Sequence, residues 1–256
     1  MKEFNYFGTY MLLKREVKRF LKVYHQTLIS PVVSALIFLS IFTLAISNKN
    51  SEIHNIPYLD FAGYGLIIMT IIQNSFANPS SSLIMAKVIG YINDILMPPL
   101  DGEEVITAYA LGGAIRGILV GIILTIVLAF IIEFRLHSLP LLIFYILSAC
   151  ILLSLLGIIS SFVSDNFEQH SAVSSYLITP LSFLSGTFYS IHSLPLILKK
   201  FNLINPFFYL IDGFRYSLIG ESDGNIYFGC VYLLFIIFAT AFLAIKIFNS
   251  GWKLKP

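Results

Sequence analysis

Six apolar runs, over residues 28–46, 59–79, 111–132, 139–163, 172–188 and 226–248, restrict this chain more than any motif it carries. At about 1.5 Å per residue, a helix of roughly 20 residues crosses the hydrocarbon core of a bilayer. No water reaches that core, so each backbone N–H and C=O must be satisfied inside the protein, and isolated apolar runs of this length form helices. The predicted fold class is all-α integral membrane, with six transmembrane helices. Only 12% of the residues are charged, against about a quarter in soluble domains. The net charge of +2 does not support nucleic-acid binding, which needs a concentrated basic face. Cys150 and Cys230 both stand inside apolar runs and read as small buried hydrophobes, without the spacing of a zinc site.

Residues 1–27 are too charged to span. Phe4, Phe7, Met11, Val17, Phe20 and Leu21 alternate with Lys14, Arg15, Lys18, Arg19 and Lys22 in a helical rhythm, which predicts an N-terminal amphipathic interfacial helix. The apolar run behind it lacks a small-residue cleavage site and is expected to be an anchor, not a removed leader. The second run ends in polar residues: Gln73, Asn74, Ser75, Asn78, Ser80, Ser81 and Ser82. Either they face a bundle interior or aqueous path, or they mark emergence into water. In the connection over residues 84–110, Asp101 can cap a helix whose first turn carries Glu103 and Glu104, both expected to be solvated. Gly113, Gly117 and Gly121 then recur every four residues and permit close helix approach, within one subunit or between two. Arg116, one turn into the predicted third span, is expected to snorkel to the interface.

The stretch over residues 176–220 can neither span nor dissolve. Gly186, Pro195, Pro206 and Gly213 interrupt its helical pattern, while Tyr189, Phe201, Phe207, Phe208, Tyr209, Phe214 and Tyr216 supply rings suited to the headgroup boundary. Irregular backbone at membrane depth survives where protein or water satisfies it, so residues 189–220 are predicted to form a re-entrant extracytoplasmic segment between helices 5 and 6. Asp212 and Arg215, three apart, can form a local ion pair or contact a substrate. Pro180 can kink the fifth span for gating or only for packing.

Lys2, Lys14, Arg15, Lys18, Arg19, Lys22, Lys87, Lys246, Lys253 and Lys255 fall on one side of a six-span topology, and Lys49, Arg135, Lys199, Lys200 and Arg215 on the other. The excess predicts cytoplasmic termini. Catalytic signatures are absent: there is no G-x-x-x-x-G-K-[ST] phosphate loop and no H-E-x-x-H, and His25, His54, His137, His170 and His192 are scattered. A proton-driven carrier needs an acidic group at depth, yet Asp60 lies near a span end and Asp212 in the re-entrant stretch. No catalytic, cofactor or metal residues are expected.

Residues 180–189 (PLSFLSGTFY), the pair Leu194-Pro195, Asn205-Pro206-Phe207 and residues 212–216 (DGFRY) resemble the carboxy-terminal signature of ABC-2 type transporter permeases. Residues 92–97, the pair Pro99-Leu100 and residues 112–117 (GGAIRG) resemble the family's coupling helix and its entry to the third span. Lys87 stands nearly alone as a positive charge before the coupling helix, a departure from the family pattern. The resemblance implies the multi-pass permease half of an inner (plasma) membrane exporter, two copies of which bind two copies of a separate nucleotide-binding ATPase. ATP would be bound by that partner and by no group of this chain. It further implies that Ile92, Asn93, Asp94, Ile95, Leu96 and Met97 couple to the ATPase, and that Pro180, Gly186, Pro195, Asn205, Pro206, Asp212 and Arg215 build an outer gate. The substrate expected is lipid-linked, a polysaccharide or hydrophobic. A secondary carrier or channel, which would work without an ATPase, and a membrane-embedded transferase are the competing classes.

Overall fold

The computed structural model describes residues 4–45, 52–53 and 56–252. Lys2, Lys49, His54, Lys253 and Lys255, used above in the sidedness and histidine arguments, lie outside them. Helix α1 (Tyr6–Lys22) opens at Asn5, whose Oδ1 accepts the Gly8 N–H at 2.9 Å. A π-helical turn (His25–Ile29) leads into α2 (Ser30–Ala45). A minimal antiparallel hairpin pairs β1 (Glu52–Ile53) with β2 (Ile56–Pro57) before α3 (Tyr58–Ile89). Then come α4 (Ile92–Leu96), α5 (Gly102–Leu128) and α6 (Leu139–Val163). The remainder holds α7 (Phe167–Val173), a π-helical turn (Ser174–Ile178), α8 (Thr179–Leu184), α9 (Leu196–Asn202), α10 (Pro206–Ile219) and α11 (Ile226–Ser250).

Among the described residues, four helices are long and apolar enough to cross a membrane: His25–Leu44, Gly102–Leu128, Leu139–Val163 and Ile226–Ser250. The two other apolar runs take different forms. The second lies within α3, whose 32 residues continue through the polar stretch to Ile89. Asn74, Ser75, Asn78, Ser80 and Ser82 are all buried there, so they face the bundle interior and do not mark an exit into water. The fifth run, residues 172–188, is divided among α7, a π-helical turn and α8. Pro180 has no N–H to continue an α-helical ladder, and the wider turn directly before it absorbs the interruption.

Helix α3 is the axis of the bundle and packs most extensively against α6 and α5. The glycine row of α5 makes this possible within one subunit: a Cβ at Gly113 would stand 2.7 Å from the Ser75 carbonyl oxygen, and Gly121 meets the Ile71 side chain. Helix α5 begins at Gly102, which places Arg116 about 21 Å along it, and its side chain is buried and does not extend outward as expected for snorkelling. Its guanidinium instead donates to Asn74 Oδ1 at 3.1 Å inside the bundle.

The elements sort to two ends. One end gathers α1, α4, the start of α5, the turn after α6 and the end of α11, as shown by Gly8 against Leu100, Gly102 against Asn249, and Lys87 against Ser164. The other gathers the hairpin, the loop over residues 129–138 and the irregular stretch between α8 and α11.

Candidate functional site

The first end is built on α1 and α4. Helix α1 buries Thr9, Leu12, Glu16 and Phe20 against the bundle and leaves Phe7, Met11 and Leu21 exposed. Of the six apolar residues expected along the membrane surface, Phe20 is the one enclosed by protein. A carboxylate takes the centre of the buried face. Glu16 accepts the Ser82 hydroxyl at 3.0 Å and pairs with Arg19 Nε at 3.2 Å and Arg15 Nη2 at 3.4 Å. Arg19 also donates to the Asn78 carbonyl and side-chain oxygens at 2.8 and 3.0 Å, and Arg15 to the Tyr109 hydroxyl at 2.8 Å. The amphipathic helix is thereby fastened to α3 and α5 by charge-assisted bonds.

Glu104 strengthens the attachment. Its carboxylate accepts the Asp101 N–H at 2.7 Å, closing a capping box, and also the Asn5 N–H. It is therefore buried, not solvated as expected, whereas Glu103 is exposed.

Helix α4 is one and a half turns long. Ile92 and Ile95 anchor it in a hydrophobic cluster with Leu12, Leu83 and Tyr109, while Asn93, Asp94 and Met97 face outward. Leu96 is the last residue of the helix. A cleft of about 290 Å³ runs between α4 and α1, floored by Pro98, Pro99 and Leu100. Gly90 takes the left-handed conformation, φ 94°, that turns the chain out of α3 and into α4.

At the opposite end, the irregular stretch is held by side chains that bond to backbone. Arg215 is buried; its Nη2 donates to the Gly186 and Thr187 carbonyls at 2.8 and 3.2 Å, and its guanidinium lies over the Phe61 ring at 3.6 Å. Gly186 adopts φ 84°, which favours glycine. Asp212 turns elsewhere, accepting the Asp223 and Gly224 N–H groups at 2.9 and 3.0 Å. Asp223 in turn accepts the Ser190 hydroxyl and the Ile191 N–H, each at 2.8 Å. Asp212 and Arg215 thus make no direct ion pair; each fastens a different loop. Asn205 caps α10 through Phe207 N–H at 3.0 Å and donates to Ser185 Oγ at 2.8 Å. Tyr189 and Tyr209 donate to the Leu184 and Leu203 carbonyls, both at 2.8 Å, and Tyr232 donates to Ile204 O. Tyr189 and Tyr209, two of the rings expected at the headgroup boundary, and Tyr232 of α11 therefore satisfy carbonyls freed where helices break.

A third feature lies between the ends. Helix α2, helix α3 and the segment from Ser174 to Phe183 enclose a cleft of about 390 Å³, into which Ser30, Ser34, Thr70, Gln73, Asn74 and Thr179 bring polar groups.

Residues 8–219 match the model of the ABC-2 type transporter family. The chain belongs to that family. It is 32% identical over 209 residues to the inner membrane transport permease YadH of Escherichia coli K12, with 82% of each chain covered. The same figures hold for YadH of Escherichia coli O157:H7 and of Shigella flexneri.

Within this ABC-2 family chain, the six predicted coupling residues fall on one short element and its cap. The predicted gate residues are less unified. Gly186, Asn205, Asp212 and Arg215 share one bonded region, and Pro206 starts α10 beside them. Pro195 starts α9 and is exposed, and Pro180 faces a separate cleft with Phe42, Tyr176 and Phe188. The sequence does not single out Glu16, Phe61, Gly65 or Asp223. A Cβ at Gly65 would overlap the Thr187 carbonyl oxygen, so α3 touches the irregular stretch backbone to backbone. Glu16 was hidden among basic neighbours, although a lone acid in a basic helix is itself a signal. Phe61 and Gly65 resemble any other residues of an apolar run.

Proposed function

We propose that this chain is the permease subunit of an ATP-driven exporter of the inner membrane. Two copies assemble with two copies of a separate nucleotide-binding ATPase and move a lipid-linked, polysaccharide or hydrophobic substrate out of the cytoplasm or inner leaflet. The family match supports the permease role, as does the name of the relatives, and the missing phosphate loop agrees with ATP hydrolysis on another subunit. Counting the α3 run and the divided α7–α8 run with the four apolar helices supports six crossings, and the basic excess in the sequence supports cytoplasmic termini.

One observation carries the mechanism. Helix α3, about 48 Å long, joins α4 through the Gly90 turn at one end and meets the Thr187 backbone at Gly65 toward the other. A push on the outward residues Asn93, Asp94 and Met97 would travel along a single rod to the segment that Arg215 holds. Nucleotide-driven closure of the ATPases would bias two packings of this rod, and the stretch over residues 189–220 would act as the outer gate. The polar cleft between α2, α3 and α8 would be this subunit's share of the substrate path.

The test is co-expression with candidate nucleotide-binding proteins, followed by transport into inside-out vesicles. Transport that depends on ATP and on a co-purifying ATPase is expected. Undiminished transport with no ATPase present would place the chain among carriers or channels.

A further inference from the structure

A cavity of about 370 Å³ lies apart from the polar cleft, between α3, α5, α6 and α10. Its inner wall includes Ile71, Phe214 and Leu218, all buried, while Ile122 and Ile126 at its mouth are about half exposed. These two isoleucines stand on an apolar helix long enough to span, which suits a mouth that opens on lipid. Among the described residues, Arg135, in the loop between α5 and α6, is the charged one lining the cavity, and the carboxylate of Asp60 lies within its electrostatic reach. The ion-pair partner of Arg135, Glu133, is 3.7 Å away and both side chains are largely exposed, so that pair is weak and easily exchanged.

A largely apolar slot on a spanning helix, with a guanidinium at its rim, matches one amphiphile: an acyl chain below a negatively charged headgroup. We propose that this cavity binds one acyl chain of an anionic phospholipid from the surrounding bilayer, with Arg135 holding the headgroup phosphate. Burial of methylene groups against Ile71, Phe214 and Leu218 supplies the affinity, and the guanidinium supplies the preference for anionic lipid. A phospholipid there would brace α10, the helix that carries Asp212 and Arg215, against α3 and α5. This site does not depend on the exporter assignment, because it requires only that α5 face lipid.

The experiment uses the full chain in phosphatidylcholine vesicles containing either phosphatidylglycerol or phosphatidylcholine with a photoreactive diazirine in one acyl chain, with adducts mapped by mass spectrometry. Phosphatidylglycerol is expected to label Phe214 and Leu218, which annular lipid cannot reach, several-fold more than the phosphatidylcholine probe does. The exposed variant Arg135→Gln is expected to remove that difference while leaving labelling of Phe235 and Phe238 on the outer face of α11 unchanged. Adducts confined to exposed residues such as Phe235 and Phe238 would overturn the proposal, showing annular lipid only or a cavity filled by protein. Equal labelling of Leu218 by both lipids, unaffected by Arg135→Gln, would overturn it as well.

Discussion

Arg215 shows how much depends on one side chain at the irregular end. Only a planar guanidinium can lie on the Phe61 ring while reaching two successive carbonyls. Arg215→Lys keeps the charge but loses the stacked plane and one of the two contacts. It is expected to cost about 1.5–3 kcal/mol of stability and to lower ATP-dependent export, while membrane insertion and ATPase association persist. Transport in vesicles and co-purification separate these effects. Gly65→Ala tests the facing surface. The new methyl group overlaps the Thr187 carbonyl, so either α3 or the loop must move. Overpacking of this kind costs about 1–3 kcal/mol, read as a lower denaturation midpoint of the detergent-purified protein. Neither residue announced this role in the sequence: Phe61 and Gly65 sit in a run whose hydropathy alone predicts lipid contact, and the partner of Arg215 is backbone nearly thirty positions away.

At the scale of elements, α1 and α3 depart furthest from a hydropathy reading. The rhythm of α1 correctly marks an amphipathic helix, but the face it buries centres on Glu16, not on its larger apolar residues. Two arginines and a serine hydroxyl make that burial tolerable. Glu16→Gln preserves shape and removes the charge, leaving Arg15 and Arg19 without their counter-ion. Protease cleavage within α1 in intact membranes is expected to rise, with the spans still inserted; unchanged cleavage would mean that α1 is held by apolar contacts alone. Helix α3 hides its continuity for the opposite reason. Its polar stretch reads as an exit from the membrane, yet the side chains of Asn78, Asn74 and Ser82 bond Arg19, Arg116 and Glu16 on neighbouring helices, and the Ser75 carbonyl accepts the Ser154 hydroxyl. Buried polar groups that find partners do not end a helix.

For the whole molecule, the proposed dimer needs a surface. Val33, Ile37, Ile41 and Leu44 of α2 and Tyr176 and Leu177 of the π-helical turn before α8 leave large apolar side chains exposed. A two-fold axis beside α2 would bring the polar clefts of two copies together. Ile37→Cys is expected to yield disulfide-linked dimers under mild oxidation in membranes, whereas Phe238→Cys on α11 is not. The native Cys150 is buried and Cys230 half-buried, which keeps the background low. Equal cross-linking at both positions would count against this interface. Membrane residence, the helical class and the resemblance at the two ends were all readable from the sequence, because hydropathy, helix breakers and short motifs are local properties. The tertiary structure alone decided which polar residues of α3 turn inward, that Asp212 and Arg215 secure separate loops, that α1 docks through a carboxylate, and that the fifth apolar run is broken before Pro180. Each of these depends on a hydrogen-bond partner or a neighbouring backbone contributed by another part of the chain, and no window of sequence contains both members of such a pair.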